Sequence, residues 1–264
     1  MRLVARMVAG LVGVVALVML TASPSTAVLK GTFDSTNRYS NVGLVALNGE
    51  PLCTGTLYRT SPTQTSSNLV MTAAHCIVGF SGQYSVTFNP SAPYVPSTYY
   101  TGVGYSLPGY SSTNNNSLQQ NSYPDLGVIV LDEPVFGISP ADLPSIGVVD
   151  TFDVKTQQLT VVGYGAESFE NANSITYGNR NYKDVTMTEG QRAKTAASYV
   201  RVSHGTCFGD SGGPLFVKGT RTIVAVASWV QSWVCGDHGY EYRIDTATAL
   251  NFLRNPTTVG IPQQ

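Results

Sequence analysis

The sequence predicts an all-β fold closed by one short helix, and three observations carry that expectation. Only 12% of the 264 residues are charged, while 26 are Gly and 15 are Tyr, a composition suited to a strand-rich domain with a substantial core. Apolar segments come as short runs separated by turn-rich polar stretches. Helical spacing of Ala, Leu and Phe stands out only over residues 246–253, where Asp245 is placed to cap the helix.

Taken in order, residues 42–47 and 69–71 read as short buried strands, with Gly55-Thr56-Leu57 as a further strand between them. Residues 59–68 form a Ser/Thr-rich loop. Residues 84–88 alternate well and predict a strand with one face in solvent. Residues 111–122 are rich in Asn, Ser and Gln, hence a loop, and Asn115-Asn116-Ser117 within it is a glycosylation sequon. Asp125 then heads an apolar strand that runs to Leu131. The Pro-rich stretch 134–144 reads as a crossing between two units, and residues 159–165 begin a second set of strands. Residues 166–195 are polar and irregular and read as surface loops, while 198–202, 214–217 and 222–227 complete the β pattern.

The chemistry concentrates in Cys207-Phe208-Gly209-Asp210-Ser211-Gly212-Gly213-Pro214. A serine hydroxyl is a poor nucleophile unless a base takes its proton and N–H groups receive the developing charge. Glycines on both sides of Ser211 allow a tight turn in which the N–H groups of Gly209 and Ser211 converge on one oxyanion. The same spacing fits the Gly-x-Ser-x-Gly elbow of α/β-hydrolases, but that fold needs its acid and histidine after the serine. Only His238 lies downstream of Ser211, with too little chain left to complete such a sheet. Upstream, Thr72-Ala73-Ala74-His75-Cys76 supplies a histidine and Asp125 a carboxylate, in the order His, Asp, Ser. His204 and His238 read as surface histidines.

With these three motifs, residues 28–253 resemble the chymotrypsin-like (trypsin-family) serine proteases. The resemblance implies two six-stranded antiparallel β-barrels with a short C-terminal helix and the active site in the cleft between them. Residues 28–138 then form the barrel with His75 and Asp125, and residues 139–264 the barrel with Ser211. It also implies a Ser211–His75–Asp125 triad that hydrolyses peptide bonds through an acyl-enzyme, with no cofactor or metal. The oxyanion hole is Gly209 and Ser211. The substrate pocket is Gly205, Thr206, Ser228, Trp229 and Val230, and Ser228 bonds Asp125. Gly205 stands where trypsins carry the aspartate that binds Lys or Arg, and Val230 where deep pockets carry Gly, which implies a preference for small or medium aliphatic P1 residues. Ser232-Trp233 repeats the Ser-Trp pair, and Asp237 is an acid within reach of a basic preference. The four cysteines allow three pairings, or a poor zinc site; the resemblance selects Cys53–Cys76 and Cys207–Cys235.

Residues 1–27 carry Arg2 and Arg6, the apolar run 7–20 and the small-residue segment 21–27, the pattern of a cleaved secretory signal. Fourteen residues span roughly 21 Å as a helix, short of a ~30 Å hydrocarbon core, so no stable membrane anchor is expected. Removal of this segment takes Lys plus Arg from 15 to 13 against 16 Asp plus Glu, a net charge of −3, and no basic patch marks a nucleic-acid partner. Cleavage after Ala27 frees an amine at Val28, which in relatives pairs with the aspartate before the nucleophile, here Asp210; cleavage after Ala22 leaves a five-residue propeptide instead. The expected protein is therefore a secreted, extracellular, monomeric endopeptidase whose partners are polypeptide substrates and protein inhibitors. A binding protein that keeps the fold without catalysis, and a secreted esterase, are the alternatives.

Overall fold

The computed structural model describes residues 27–91, 99–111, 123–166, 178–188, 198–230, 235 and 238–263. After one helical turn, α1 (Ala27–Lys30), come the strands β1 (Thr32–Phe33), β2 (Val42–Leu47), β3 (Glu50–Arg59), β4 (Ser67–Thr72), β5 (Tyr84–Thr87), β6 (Tyr100–Ser106) and β7 (Gly127–Val135). Further along lie β8 (Ala141–Asp142), β9 (Gln158–Gly163), β10 (Asn181–Thr186), β11 (Tyr199–Val202), β12 (Pro214–Val217), β13 (Ile223–Val230) and β14 (Gly239–Arg243). Two helices, α2 (Ala247–Arg254) and α3 (Pro256–Val259), and the strand β15 (Ile261–Pro262) end the described chain.

The fold is all-β but for the short helices. Strands β2 to β7 close into an antiparallel barrel, because β2 pairs with both β3 and β5 while β7 pairs with both β4 and β6. The second sheet runs β1-β10-β9-β12-β13-β14-β11 and curls without a full closing ladder. The chain beyond β10 meets β11 through one bridge, Met187 with Val202, flanked by Thr188 N–H to Arg201 C=O at 3.0 Å and Ser203 N–H to Thr186 C=O at 2.9 Å. Sheet membership also crosses the expected boundary at 138/139 at both ends of the chain. β1 adds to the second sheet through Thr32 opposite Tyr182, and β15 adds to the first through Ile261 opposite Ser106.

Strand alternation explains the packing. Val45, Leu57, Val70, Val86 and Ile129 fill the first barrel, while Val42, Leu44, Tyr58, Met71 and Val128 point the other way. These outward residues meet Val162, Phe216 and Val226 of the second sheet and Phe252 and Leu253 of α2, so a strand buried on both faces separates two cores. β5 shows less of the solvent face than its alternation suggested: of its four residues only Ser85 is partly exposed.

Two further expectations change. The tract 166–195 contains β10, and the residue before that strand, Arg180, is fully buried. Its Nε donates to Asp34 Oδ2 at 2.9 Å, and its remaining donors reach Val42 C=O, Phe88 C=O, the Tyr164 hydroxyl and Asn37 Oδ1. A cation that is paired and hydrogen-bonded at each nitrogen can be buried, which polarity along the sequence does not reveal. At the C-terminal helix the cap is Thr246, whose hydroxyl accepts from Ala249 N–H at 3.2 Å. Asp245 instead accepts from Val149 N–H and from the Arg243 guanidinium. The sequon at 115–117, the repeated Ser232-Trp233 pair and Asp237 lie outside the described residues.

Removing Asp34 leaves a fully buried guanidinium without its counter-charge. Asp34→Ala should lower stability by about 3–5 kcal/mol, read as a reduced urea midpoint, whereas substitution of the exposed ion-pair residue Lys218 by Ala should cost well under 1 kcal/mol.

Candidate active site

The site is assembled from both sheets. On the first barrel, β4 ends at Thr72 and the chain turns through a short 3-10 segment, Ala74–Cys76, that carries His75. Asp125 sits just before β7 and is almost fully buried. The imidazole Nδ1–H donates to Asp125 Oδ2 at 2.8 Å, and the His75 backbone N–H donates to the other oxygen, Oδ1, at 2.9 Å. The Ser228 hydroxyl adds a further bond to Oδ2. Three donors thus fix the carboxylate, and the carboxylate fixes the ring and its tautomer, leaving Nε2 as the free base. Burial works against charge on the imidazole, but the Asp125 charge and hydrogen bond outweigh it and raise the His75 pKa above the usual histidine value. For Asp125 burial likewise favours the neutral form, and the charge and hydrogen bonds of His75, helped by Ser228, prevail and lower its pKa.

The serine arrives from the second sheet on the loop before β12. That loop is seated directly on the histidine turn. Thr54 N–H donates to Ser211 C=O at 2.9 Å, Thr54 Oγ1 donates to Gly209 C=O at 2.9 Å, and Gly212 N–H donates to Ala227 C=O at 2.7 Å. Gly212 has φ +79°, and a Cβ there would lie 2.2 Å from Thr72 Oγ1 and 2.7 Å from Ala73 N, so only glycine allows this approach. The disulfide Cys53–Cys76 locks the histidine turn to β3, and Cys207–Cys235 ties the serine loop to the segment between β13 and β14. Both are the pairings the resemblance implied. Ser211 and His75 are both partly exposed to the cleft. Among the described residues no hydrogen bond joins the Ser211 hydroxyl to the ring, and the N–H groups of Gly209 and Ser211 donate to no protein acceptor.

Asp210 lies under this loop, 1% exposed. Its Oδ1 accepts from Gly165 N–H at 2.8 Å and its Oδ2 from Cys207 N–H at 2.9 Å. Burial outweighs these two donors and pushes its pKa up to about 7. Val28, its expected partner, is buried in the core of the second sheet with Val161, Val185 and Leu215, still joined to Ala27, and the described residues contain no ion pair between the two.

The expected pocket residues gather on one side of the serine loop. Gly205 and Thr206 are buried, while Ser228, Trp229 and Val230 form a partly exposed wall along β13. Trp229 stacks flat on Tyr240, ring centroids 3.8 Å apart. Below them lies a residue the sequence reading did not single out: Glu241, 1% exposed, whose Oε1 is 3.4 Å from the Thr206 hydroxyl. Burial, with the Asp210 charge, pushes its pKa up to about 8. Its signal in the sequence was a lone acid among the aromatic residues of 240–242. Cys53, His75 and Cys76 bring ligand-type atoms within 4.8 Å of one another, but both sulfurs are in the disulfide and neither is a thiolate ligand.

Comparison with known proteins agrees with the fold. Among solved structures, HL collagenase superposes with a TM-score of 0.64 at 18% identity, covering 88% of this chain and 100% of its own. Neuropsin, a serine protease expressed in the limbic system of mouse brain, gives 0.63 at 21%, covering 82% and 95%. A mutant of human heparin binding protein gives 0.63 at 19%, covering 87% and 96%. No curated protein sequence matches the chain. The family pattern described as Trypsin matches residues 31–253, most of the sequence, and the chain belongs to that family.

Proposed function

We propose that this protein is a secreted serine endopeptidase with Ser211 as nucleophile, His75 as general base and acid, and Asp125 as the group that positions His75. The observation that carries the reading is the His75–Asp125 pair: a buried carboxylate bonded to the ring and to the backbone of the same residue, facing the Ser211 loop. In the reaction, His75 Nε2 removes the Ser211 proton as the oxygen attacks the peptide carbonyl. The oxyanion that forms falls between the N–H groups of Gly209 and Ser211. The protonated ring then delivers its proton to the leaving amine, and water repeats the sequence on the acyl-enzyme. The raised His75 pKa suits this role, because the ring must hold a proton midway through each step. The N–H groups of Gly209 and Ser211, which have no acceptor among the described residues, support the electrostatic half of the mechanism, and a single such donor is worth about 2.7–4 kcal/mol in the transition state. The two disulfides suit an oxidising compartment.

Two tests follow from this assignment. Ser211→Ala should lower kcat on a peptide library by roughly 10⁶-fold, and His75→Ala by a similar factor; retention of most activity by the Ser211 variant would rule out the assignment. Because the base acts only when neutral, kcat/KM should rise with pH through a midpoint above the ordinary histidine value of about 6.5. A midpoint well below that value would contradict the Asp125 coupling.

Asp210 supplies the activation step in this reading. A buried carboxylate with only two backbone donors is disfavoured as an anion, and a cut before Val28 would provide an ammonium to pair with it. With the folded pKa raised to about 7 above an unfolded value near 3.9, the uncut protein is favoured at low pH and loses that contribution as pH rises towards 7. Pairing with the new amine should reverse the sign, so protein beginning at Val28 should be active and gain stability over the uncut form between about pH 5 and 8. N-terminal sequencing of freshly secreted protein beside thermal melts at both ends of that range checks this; an active enzyme that begins at Ser23 would exclude direct activation by signal peptidase.

A further inference from the structure

A cleft opens between the two sheets, at the end of β12 away from Ser211. It holds about 310 Å³ and is walled by the segment entering β2 and by the turn that joins β12 to β13. Arg38 lines it from the first of these and Arg221 from the second, and both residues are exposed. Tyr39 and Phe216, buried and stacked with ring centroids 5.9 Å apart, supply its apolar side. Asn41 also lines it and is only 4% exposed. The Asn41 Nδ2 is buried and has no hydrogen-bond partner. None of these residues belongs to the proposed triad, oxyanion hole or substrate pocket.

Both arginines stand on fixed backbone. The N–H groups of Arg38 and Tyr39 donate to the two oxygens of Asp34, at 2.7 and 2.9 Å, and Arg180 holds that carboxylate in turn. Arg221 C=O accepts from Asp142 N–H at 2.9 Å, and Thr220 N–H closes the turn before it by donating to Val217 C=O at 3.0 Å. The neighbouring charges are matched: Lys218 Nζ is 2.7 Å from Asp184, and Arg59 Nε is 2.6 Å from Asp142. Asp184 also acts on Arg38 through space, but among the described residues no ion pair engages Arg38 or Arg221. Their two guanidinium groups are thus in local excess on a chain whose net charge is −1. A buried donor without an acceptor is costly, and an acceptor supplied by a ligand removes that cost.

We propose that this cleft is a binding site for small organic dicarboxylates, separate from the catalytic site. A planar carboxylate matches the fork of an arginine through paired hydrogen bonds. Two carboxylates on one molecule therefore use both guanidinium groups, and one of them also accepts from the Asn41 amide. The carbon chain between them lies along Tyr39 and Phe216. The volume is near the lower bound for ligand pockets, which suits a molecule of a few carbons rather than a polymer. Inorganic sulfate or phosphate carries the charge but has no carbon to cover the rings. A monocarboxylate engages one arginine only. The inference is independent of the endopeptidase reading, since no residue of the cleft takes part in that chemistry.

The experiment is calorimetric titration of the unaltered protein with glutarate, butyrate, sulfate and phosphate, at neutral pH and low ionic strength so that screening does not mask the charges. Glutarate is expected to bind with a Kd below about 1 mM, and the other three at least about tenfold more weakly. Arg38→Gln and Arg221→Gln should each weaken glutarate about tenfold or more, with the urea midpoint unchanged because both side chains are exposed. Asn41→Ala should weaken it as well, and the two arginine variants decide the matter if that buried change lowers stability. Absence of binding up to about 10 mM glutarate overturns the inference. So does sulfate or phosphate binding as tightly as glutarate, or a pair of arginine variants that bind as the unaltered protein does. Each of these outcomes leaves the catalytic reading standing, because that reading is tested by the Ser211 and His75 variants and not by binding here.

Discussion

The guanidinium of Arg180 fixes how the two sheets sit against each other. It belongs to the chain entering β10, yet its partners are Asp34 and Asn37 before β2, Val42 at the start of β2, Phe88 after β5 and Tyr164 after β9. Both charged side chains are fully buried, so the pair contributes little net stability over an apolar substitute. What it supplies is registry. A planar fork bonded through all three nitrogens to five acceptors restricts the placement of its partners, where a sliding apolar interface tolerates several. That matters for the triad proposed above, because His75 and Asp125 come from one sheet and Ser211 from the other, and a misplacement of about 1 Å between a nucleophile and its base can cost on the order of 100-fold in rate.

The ends of the chain reinforce the same interface. β1 joins the second sheet although the next six strands build the first, and β15 returns to the first although the preceding strands build the second. The Tyr58 hydroxyl donates to Leu253 C=O at 2.8 Å, so α2 also reaches across. Each half is thus strapped by a segment of the other. A change at the N-terminus is felt on the side of the molecule where Ser211, Asp210 and the pocket lie, since α1 and Val28 pack on that sheet.

How much of this was legible in the sequence depends on how local its cause is. The residues around Ser211, His75 and Asp125 stand in short motifs because glycine and small residues are needed where chain passes close to chain, as at Gly212, and the four cysteines, whose pairing the sequence alone left open, pair as the family resemblance implied. The strands of 42–47 and 214–217 show in the pattern because they are continuous apolar runs. Arg180 was hidden in a polar tract because its burial is decided by five acceptors from distant parts of the chain. Thr246 rather than Asp245 caps α2 for a related reason: Arg243 and Val149 already claim the Asp245 carboxylate. Glu241 escaped notice because nothing in Tyr240-Glu241-Tyr242 shows which way the acid points.

The buried acids, taken together, separate structure from function. Asp34 and Asp245 each have an arginine, and both are fixed parts of the scaffold. Asp125 has His75, a partner whose charge comes and goes. Asp210 and Glu241 have no cation among the described residues, and each is held by too few donors to favour ionisation, so burial dominates and both pKa values rise. Evolving an acid into a buried position without a counter-charge costs stability, and the protein confines that cost to the cleft. In the activation proposed above, a new chain end would supply the missing charge at Asp210. The proximity of the two like charges couples them: the Asp210 charge helps keep Glu241 neutral, and a cation placed at Asp210 would favour ionisation of Glu241.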